Sequence, residues 1–272
     1  MRVLHVNSTL GLKTGGGTAE RTFQLGHQLA VGGVDTTIMT LDLELDEARQ
    51  RAIAPAKVLA LPCFWKRFYL PRVAWKTIRQ AVEQADVIHL MGHWGVLNAL
   101  VYLAARRAGK PYVVCPAGAL PLFGRSSMLK RIYNLLVGRA LIRNAAAWVA
   151  VTAAEFPQFE AYGVDPRQVQ VIPNGVNRED FPAVDRADFC RRHALPDAGY
   201  ILFLGRLNCI KGPDLLLEAF LGIREMIPGH HLVFAGPDDG MRAELENRAA
   251  GCGEDSRIHF VGYVNGDDKV AA

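Results

Sequence analysis

Two cations, Arg206 and Lys211, stand in the run Phe203-Leu204-Gly205-Arg206-Leu207-Asn208-Cys209-Ile210-Lys211-Gly212-Pro213, whose residue types suit an anion site. Tyr200 to Leu204 is a short apolar run of the kind that forms a buried parallel strand, and Gly205 ends it where a close approach needs no side chain. Gly212 then precedes Pro213 at a first helical position, and Leu216, Ala219, Phe220 and Ile223 recur at helical spacing until Pro228. A helix start carries unpaired N–H groups and the positive end of the helix dipole. With Arg206 and Lys211 beside it, the junction has the charge to hold a diphosphate.

Other segments carry weaker chemistry. Gly15-Gly16-Gly17 precedes Ala19-Glu20-Arg21, so a glycine-rich turn opens the first helix, and backbone N–H groups at Gly16 and Gly17 could meet a phosphate or sugar. Glu20 occupies the third glycine position of the dinucleotide fingerprint, which argues against an NAD-binding oxidoreductase. His89 and His93, in His89-Leu90-Met91-Gly92-His93-Trp94-Gly95, follow a strand and supply titratable groups; a buried strand-end role for His89 stays open beside a functional one. Gly118, in the turn Cys115-Pro116-Ala117-Gly118, allows backbone approach. Thr152 and Glu155 stand at capping-box spacing. Asn174-Gly175 makes a tight turn after Pro173. The acidic groups Asp42-x-Glu44-x-Asp46 and Asp267-Asp268 lack a histidine and read as surface acids.

These residues need a scaffold, and the apolar runs define it. Val3 to Val6, Thr36 to Thr40, Val58 to Leu61, Val87 to Leu90, Tyr112 to Cys115, Trp148 to Val151 and Val169 to Ile172 alternate with helical patterns, the signature of a doubly wound parallel α/β sheet. After a polar stretch from Asn177 to Gly199 the alternation restarts with Tyr200 to Leu204, His231 to Ala235 and Ile258 to Val261. We therefore expect two Rossmann-like domains, residues 1–180 and 181–272, the second incomplete. The chain has 272 residues, half of them hydrophobic, a net charge of +4 and five scattered cysteines. That balance is too weakly basic for nucleic acid, and the cysteine spacing supports neither a zinc site nor a disulfide framework. Met1 to Asn7 already reads as a strand, with no apolar leader, and the expected location is cytoplasmic, either free or peripheral at the inner face of the membrane. The aromatic and basic segment 62–79 suits either an interfacial contact or a helix that packs its aromatics into the first domain with its bases in water, and Arg125 to Arg143, with Lys130, Arg131 and Arg139, reads as a second basic helical stretch, more often a solvated face than a membrane arm.

The Gly-Arg-Leu…Lys-Gly run and the Ile172-Pro173-Asn174-Gly175-Val176 turn resemble motifs of the GT-B glycosyltransferases, specifically the retaining family 4 enzymes. The resemblance spans nearly the whole chain and implies that Arg206 and Lys211, with Gly16 and Gly17, hold the diphosphate of a UDP- or GDP-sugar donor. His89, Gly118, Asn174 and Gly205 would line the cleft. In strict register the second histidine of the family's His-x-His-Gly-x-Trp pattern falls on Met91, so His93 becomes the catalytic candidate. The family's Glu-x7-Glu element would lie beyond the last strand, yet no glutamate follows Glu254, and the chain is expected to be C-terminally truncated. The implied activity is transfer of a sugar, with retention, to a glycan or lipid-linked acceptor in cell-surface polysaccharide or glycolipid synthesis. No cofactor or metal is expected. The other reading is an inert sugar- or nucleotide-binding fragment that needs a partner or its missing half.

Overall fold

The structure, a computed structural model, describes residues 1–72, 75–122, 126–176, 181–196, 199–254 and 256–272, without the side chains of residues 12–14. The chain divides into two compact units, Met1–Gly175 and Val176–Ala272.

The first unit is built on seven parallel strands: β1 Arg2–Val6, β2 Asp35–Leu41, β3 Lys57–Leu61, β4 Val87–Met91, β5 Tyr112–Cys115, β6 Ala147–Ala150 and β7 Val169–Val171. Their order is β3-β2-β1-β4-β5-β6-β7. Every strand coincides with one of the apolar runs, because strands of a sheet covered on both faces need side chains that bury either way. The order reverses direction between β1 and β4, and ligands of such sheets bind beyond the strand C-termini near that point.

Its helices are α1 Leu12–Val31, α2 Glu47–Ala52, α3 Trp75–Gln84, α4 Val96–Ala108, α5 Ser127–Tyr133, α6 Arg139–Arg143 and α7 Phe156–Ala161. Gly109 closes α4 with φ of 62°, as the Gly109-Lys110-Pro111 stop signal requires. Side chains alternate along the strands. Leu4, Val6, Ile88 and Leu90 pack with Ile78, Val82, Val101, Leu141 and Phe159 in the main core. The alternate positions His5, Asn7 and His89 are buried too, and Asn7 donates to Thr18 and Thr22 of α1.

The second unit carries three parallel strands, β8 Tyr200–Leu204, β9 His231–Ala235 and β10 Ile258–Gly262, in that order. Around them lie α8 Arg186–Arg192, α9 Pro213–Ile223, α10 Arg242–Gly251 and α11 Gly266–Ala271. Leu217, Phe220, Leu232, Phe234 and Leu245 fill one side of this sheet, and Phe189, Leu195, Val233 and Ala235 the other. The polar stretch before β8 contains α8, which starts where the Asp185 carboxylate accepts from the Ala187 and Asp188 amides.

Segment 62–79 is not one helix. It forms a short antiparallel pairing of Cys63–Trp65 with Leu70–Pro71 and a 3-10 turn over Lys66–Phe68, and α3 covers Trp75–Gln84. Phe64 and Trp65 are exposed there, whereas Ile78 is buried in the core.

Candidate functional site

At the C-terminal end of the second sheet the backbones crowd together. The Gly205 amide donates to the Ala235 carbonyl at 2.9 Å and the Gly236 amide to that of Gly262 at 2.7 Å. A Cβ on Gly236 would run into the Gly205 carbonyl, so glycine is a packing requirement here. Beyond β8 the chain keeps pairing: the Leu207 amide donates to Pro237 at 3.0 Å and the Asp239 amide to Leu207 at 3.2 Å.

Asn208, which the motif comparison passed over, organises the turn that follows. Its buried side chain accepts from the Lys211 amide at 3.1 Å and donates to Asp239 Oδ2 at 2.8 Å. Gly212 then takes φ of 64° and Pro213 opens α9, as the sequence predicts. Arg206 and Lys211 both emerge exposed on this turn. Asp239 lies 3.8 Å from the Arg206 guanidinium, and among the described residues no carboxylate pairs with the Lys211 ammonium. Asp238 is a turn residue: its Oδ1 accepts from the amides of Gly240, Met241 and Arg242. Those amide bonds hold its carboxyl below the usual carboxylate range.

The glycine-rich junction of the first unit is arranged otherwise. Helix α1 starts ahead of the glycines and is interrupted at Gly16, with φ of 51° and ψ of −136°. Gly15 packs against Thr9 and Ala19, whereas a Cβ at Gly16 or Gly17 would meet no atom within 4 Å. One turn further on, Arg21 points inward and is 6% exposed. Its Nη1 donates to Asn174 Oδ1 and its Nη2 to the Ile172 carbonyl, both at 2.8 Å. Asn174 therefore spends its side-chain oxygen on Arg21, and the turn that ends the first unit is pinned to α1.

Both histidines are deep. His89 and His5, partners in register across β4 and β1, bring their Nδ1 atoms within 2.9 Å, and neither Nε2 has a partner. Burial lowers the His89 pKa to about 3 and that of His5 to about 4. His93 is 2% exposed in a box of Trp94, Tyr133 and Tyr162 rings. Its Nε2 lies 3.0 Å from Asn134 Oδ1, and burial lowers its pKa to about 4. The ring is thus enclosed, with one nitrogen engaged. Met91, in the family histidine's register, is buried beside Cys115 and Val149.

Gly118 adopts φ of 76° and its amide donates to Glu155 Oε2 at 2.8 Å. The other oxygen of Glu155 accepts from Val151 and Thr152, and Thr152 with Glu155 forms the capping box that their spacing predicts. The donor-binding candidates thus fall into two groups: Arg206 and Lys211 share one turn of the second unit, beside the cleft candidate Gly205, and Gly16 and Gly17 belong to the first.

Two units of parallel sheet and crossover helix, with a basic strand-to-helix turn in the second, define a GT-B type architecture. Residues 16–175 match the family described as Glycosyl transferase 4-like domain, and residues 185–272 match Glycosyl transferases group 1. The chain belongs to the GT-B glycosyltransferases of family 4 type. The D-rhamnosyltransferase WbpZ of Pseudomonas aeruginosa is 26% identical over 285 residues, covering 100% of this chain and 68% of WbpZ. The D-inositol 3-phosphate glycosyltransferase of Geodermatophilus obscurus is 30% identical over 209 residues, covering 68% of this chain and 46% of the relative. The chain thus spans about half to two thirds of the length of these relatives. In fold it is similar to Anabaena HepE, solved in complex with UDP and glucose, at a TM-score of 0.73 and 17% identity, covering 100% of this chain and 71% of HepE.

Proposed function

We propose that the second unit holds a UDP- or GDP-sugar by its diphosphate and that the first unit serves the acceptor, so that the protein transfers a sugar with retention to a glycan or lipid-linked acceptor in cell-surface polysaccharide or glycolipid synthesis. One observation carries this reading: Arg206 and Lys211 stand exposed on a single turn, fixed by Asn208, at the start of α9. As the bond from the sugar to the diphosphate breaks, negative charge grows on the leaving oxygen. Two fixed cations and a helix N-terminus stabilise that charge without rearranging, which is the electrostatic contribution that dominates many such transfers. These groups supply the charge that a metal ion would otherwise bring. Gly16 and Gly17, with open space on the side where a Cβ would stand, let a ligand approach the backbone of α1. Phe64 and Trp65, exposed beside Lys66 and Arg67, are the part of segment 62–79 free for a peripheral membrane contact.

The second reading is an inert sugar- or nucleotide-binding fragment that needs a partner or a further segment: Asp239, 3.8 Å from Arg206, partly neutralises the turn and weakens its stabilisation of charge growing on a leaving oxygen. Calorimetric titration with UDP-glucose and GDP-mannose, followed by assay of sugar release, separates the two. Heat of binding with release supports transfer, binding alone supports the second reading, and no heat with either donor contradicts both.

A further inference from the structure

The helices of the first unit differ in what they leave open. Along α5 and the π-helical turn over Asn134–Gly138, Met128, Leu135 and Leu136 are exposed where the sequence predicts a solvated basic face. Arg125 lies outside the described residues. Between α3 and α4 the surface is instead hollow, with a cavity of about 270 Å³ lined by Trp75, Arg79, Glu83, Ala104, Arg107 and Ala108.

The cavity follows from the helical repeat. Trp75, Arg79 and Glu83 recur every fourth residue and lie on one side of α3, and Ala104, Arg107 and Ala108 share one side of the last turns of α4. Ile78 and Val82, on the adjoining side of α3, are buried in the core, and Trp75 packs partly against it. The two alanines have too little side chain to fill the space left between the helices. The floor is therefore apolar, one wall is an indole ring, and the rim carries two guanidinium groups and one carboxylate. Ala104 stands eight residues beyond Val96, where α4 starts, which is about 12 Å along the helix. The cavity is thus separate from the strand ends where ligands of such sheets bind.

Its polar groups are loosely held. Arg79 and Glu83 meet at 3.3 Å with their side chains 56% and 51% exposed, and an ion pair so exposed contributes little stability. Arg107 Nη1 donates to the Leu103 carbonyl at 3.5 Å, and its guanidinium carbon lies 5.6 Å from the centre of the Trp75 ring. That is near the outer limit of a cation–π contact, so Arg107 borders the ring without closing it.

The mixture of charges selects the ligand. A phosphate or carboxylate would meet Glu83 as well as the arginines, a cation would meet both arginines, and a wholly apolar molecule would desolvate all three charges without return. Sugar hydroxyls donate to a carboxylate and accept from guanidinium N–H groups, and the C–H face of a sugar ring buries against an indole. The volume lies near the lower end of the range for small-molecule sites, which suits a single ring. We propose that the cavity between α3 and α4 is a saccharide-binding site that takes one sugar unit. With a glycan acceptor, as proposed above, that unit would belong to the acceptor chain away from the residue that reacts. The binding itself does not rest on that reading and is measured without donor.

The test is a nuclear magnetic resonance titration of the isotope-labelled whole chain with the methyl glycosides of glucose, mannose, galactose and rhamnose at millimolar concentrations. The chain has four tryptophans, and Trp75→Phe assigns the indole N–H signal of Trp75. At least one glycoside should shift that signal saturably and leave those of Trp94 and Trp148 in place. Ala108→Leu, which fills the floor without adding charge, should weaken binding about tenfold. Glu83→Ala, at an exposed position, should weaken it about fivefold. Both variants should keep the circular dichroism spectrum and the wild-type affinity for UDP-glucose or GDP-mannose, so failure of this site and failure of the donor turn are told apart. No shift of the Trp75 signal with any of the four glycosides overturns the proposal, as does folded Ala108→Leu protein that binds like wild type. Inorganic phosphate that shifts Trp75 where the glycosides do not would also overturn it and assign the cavity to an anion.

Discussion

The glycine bend inside α1 and the glycine turn that opens α9 use their neighbouring basic side chains in opposite ways. Each follows a parallel strand and each bends at a glycine of positive φ, 51° at Gly16 and 64° at Gly212. At α9 the cations Arg206 and Lys211 stand in water around the helix start. At α1 the nearest described cation in sequence, Arg21, is turned inward and donates to Ile172 and Asn174. A strand-glycine-helix junction is therefore not an anion site by topology alone. At α9 the positive charge stays accessible to an anion, whereas at α1 the buried Arg21 pins the helix to the turn at Ile172 and Asn174.

The sharpest way to break this contrast is to remove the cations from each turn and compare binding with stability. Arg206→Ala combined with Lys211→Ala should lose donor affinity by about 4 kcal/mol, from two charge-assisted contacts of about 2 kcal/mol each, with urea unfolding nearly unchanged. Arg21→Met should do the reverse. It removes both hydrogen bonds to Ile172 and Asn174, and its midpoint in urea should fall by the equivalent of about 2 kcal/mol. Equal effects of the two changes on affinity would erase the distinction.

Acid provides a third comparison, because burial keeps His5, His89 and His93 of the first unit neutral. The pKa of His93 is lowered to about 4 in the folded protein, against about 6.5 in an unfolded chain. Above pH 6.5 it costs the fold nothing. As pH falls from 6.5 toward 4 the unfolded state binds the proton first, and stability drops by about 2 kcal/mol by pH 5. His93→Phe should flatten the slope of unfolding free energy against pH across that window, and an unchanged slope would place the titration elsewhere. The smallest effect separates the glycines: Gly212→Ala should cost about 1 kcal/mol for its left-handed backbone, and Gly17→Ala, with open space around it, should stay within about 0.5 kcal/mol.

Much of the framework was legible in the sequence, for a physical reason. Strands buried on both faces are continuous apolar runs, and the strands of both sheets showed themselves so. The start of α9 at Pro213 and the Thr152–Glu155 capping box are local signals, complete within a few residues. What escaped depends on distance or on direction. Arg21 meets partners more than a hundred residues away, and nothing near it announces them. Asn208 looks like any loop asparagine until Asp239 arrives from the next strand. The periodicity of 125–143 showed a helix but not which side faced in, because its inner side uses Asn134 and Gly138 and its outer side uses leucines. The burial of His93 among three aromatic rings could not be read from spacing.

Hydrogen exchange on the whole chain, with and without saturating UDP-glucose or GDP-mannose, tests the central claim most directly. The account predicts slowed exchange in peptides spanning Gly205 to Leu216, with the amides of the Arg206–Lys211 turn and the first turn of α9 protected together. Protection by the donor elsewhere in the chain, with that segment exchanging at its free rate, would contradict it.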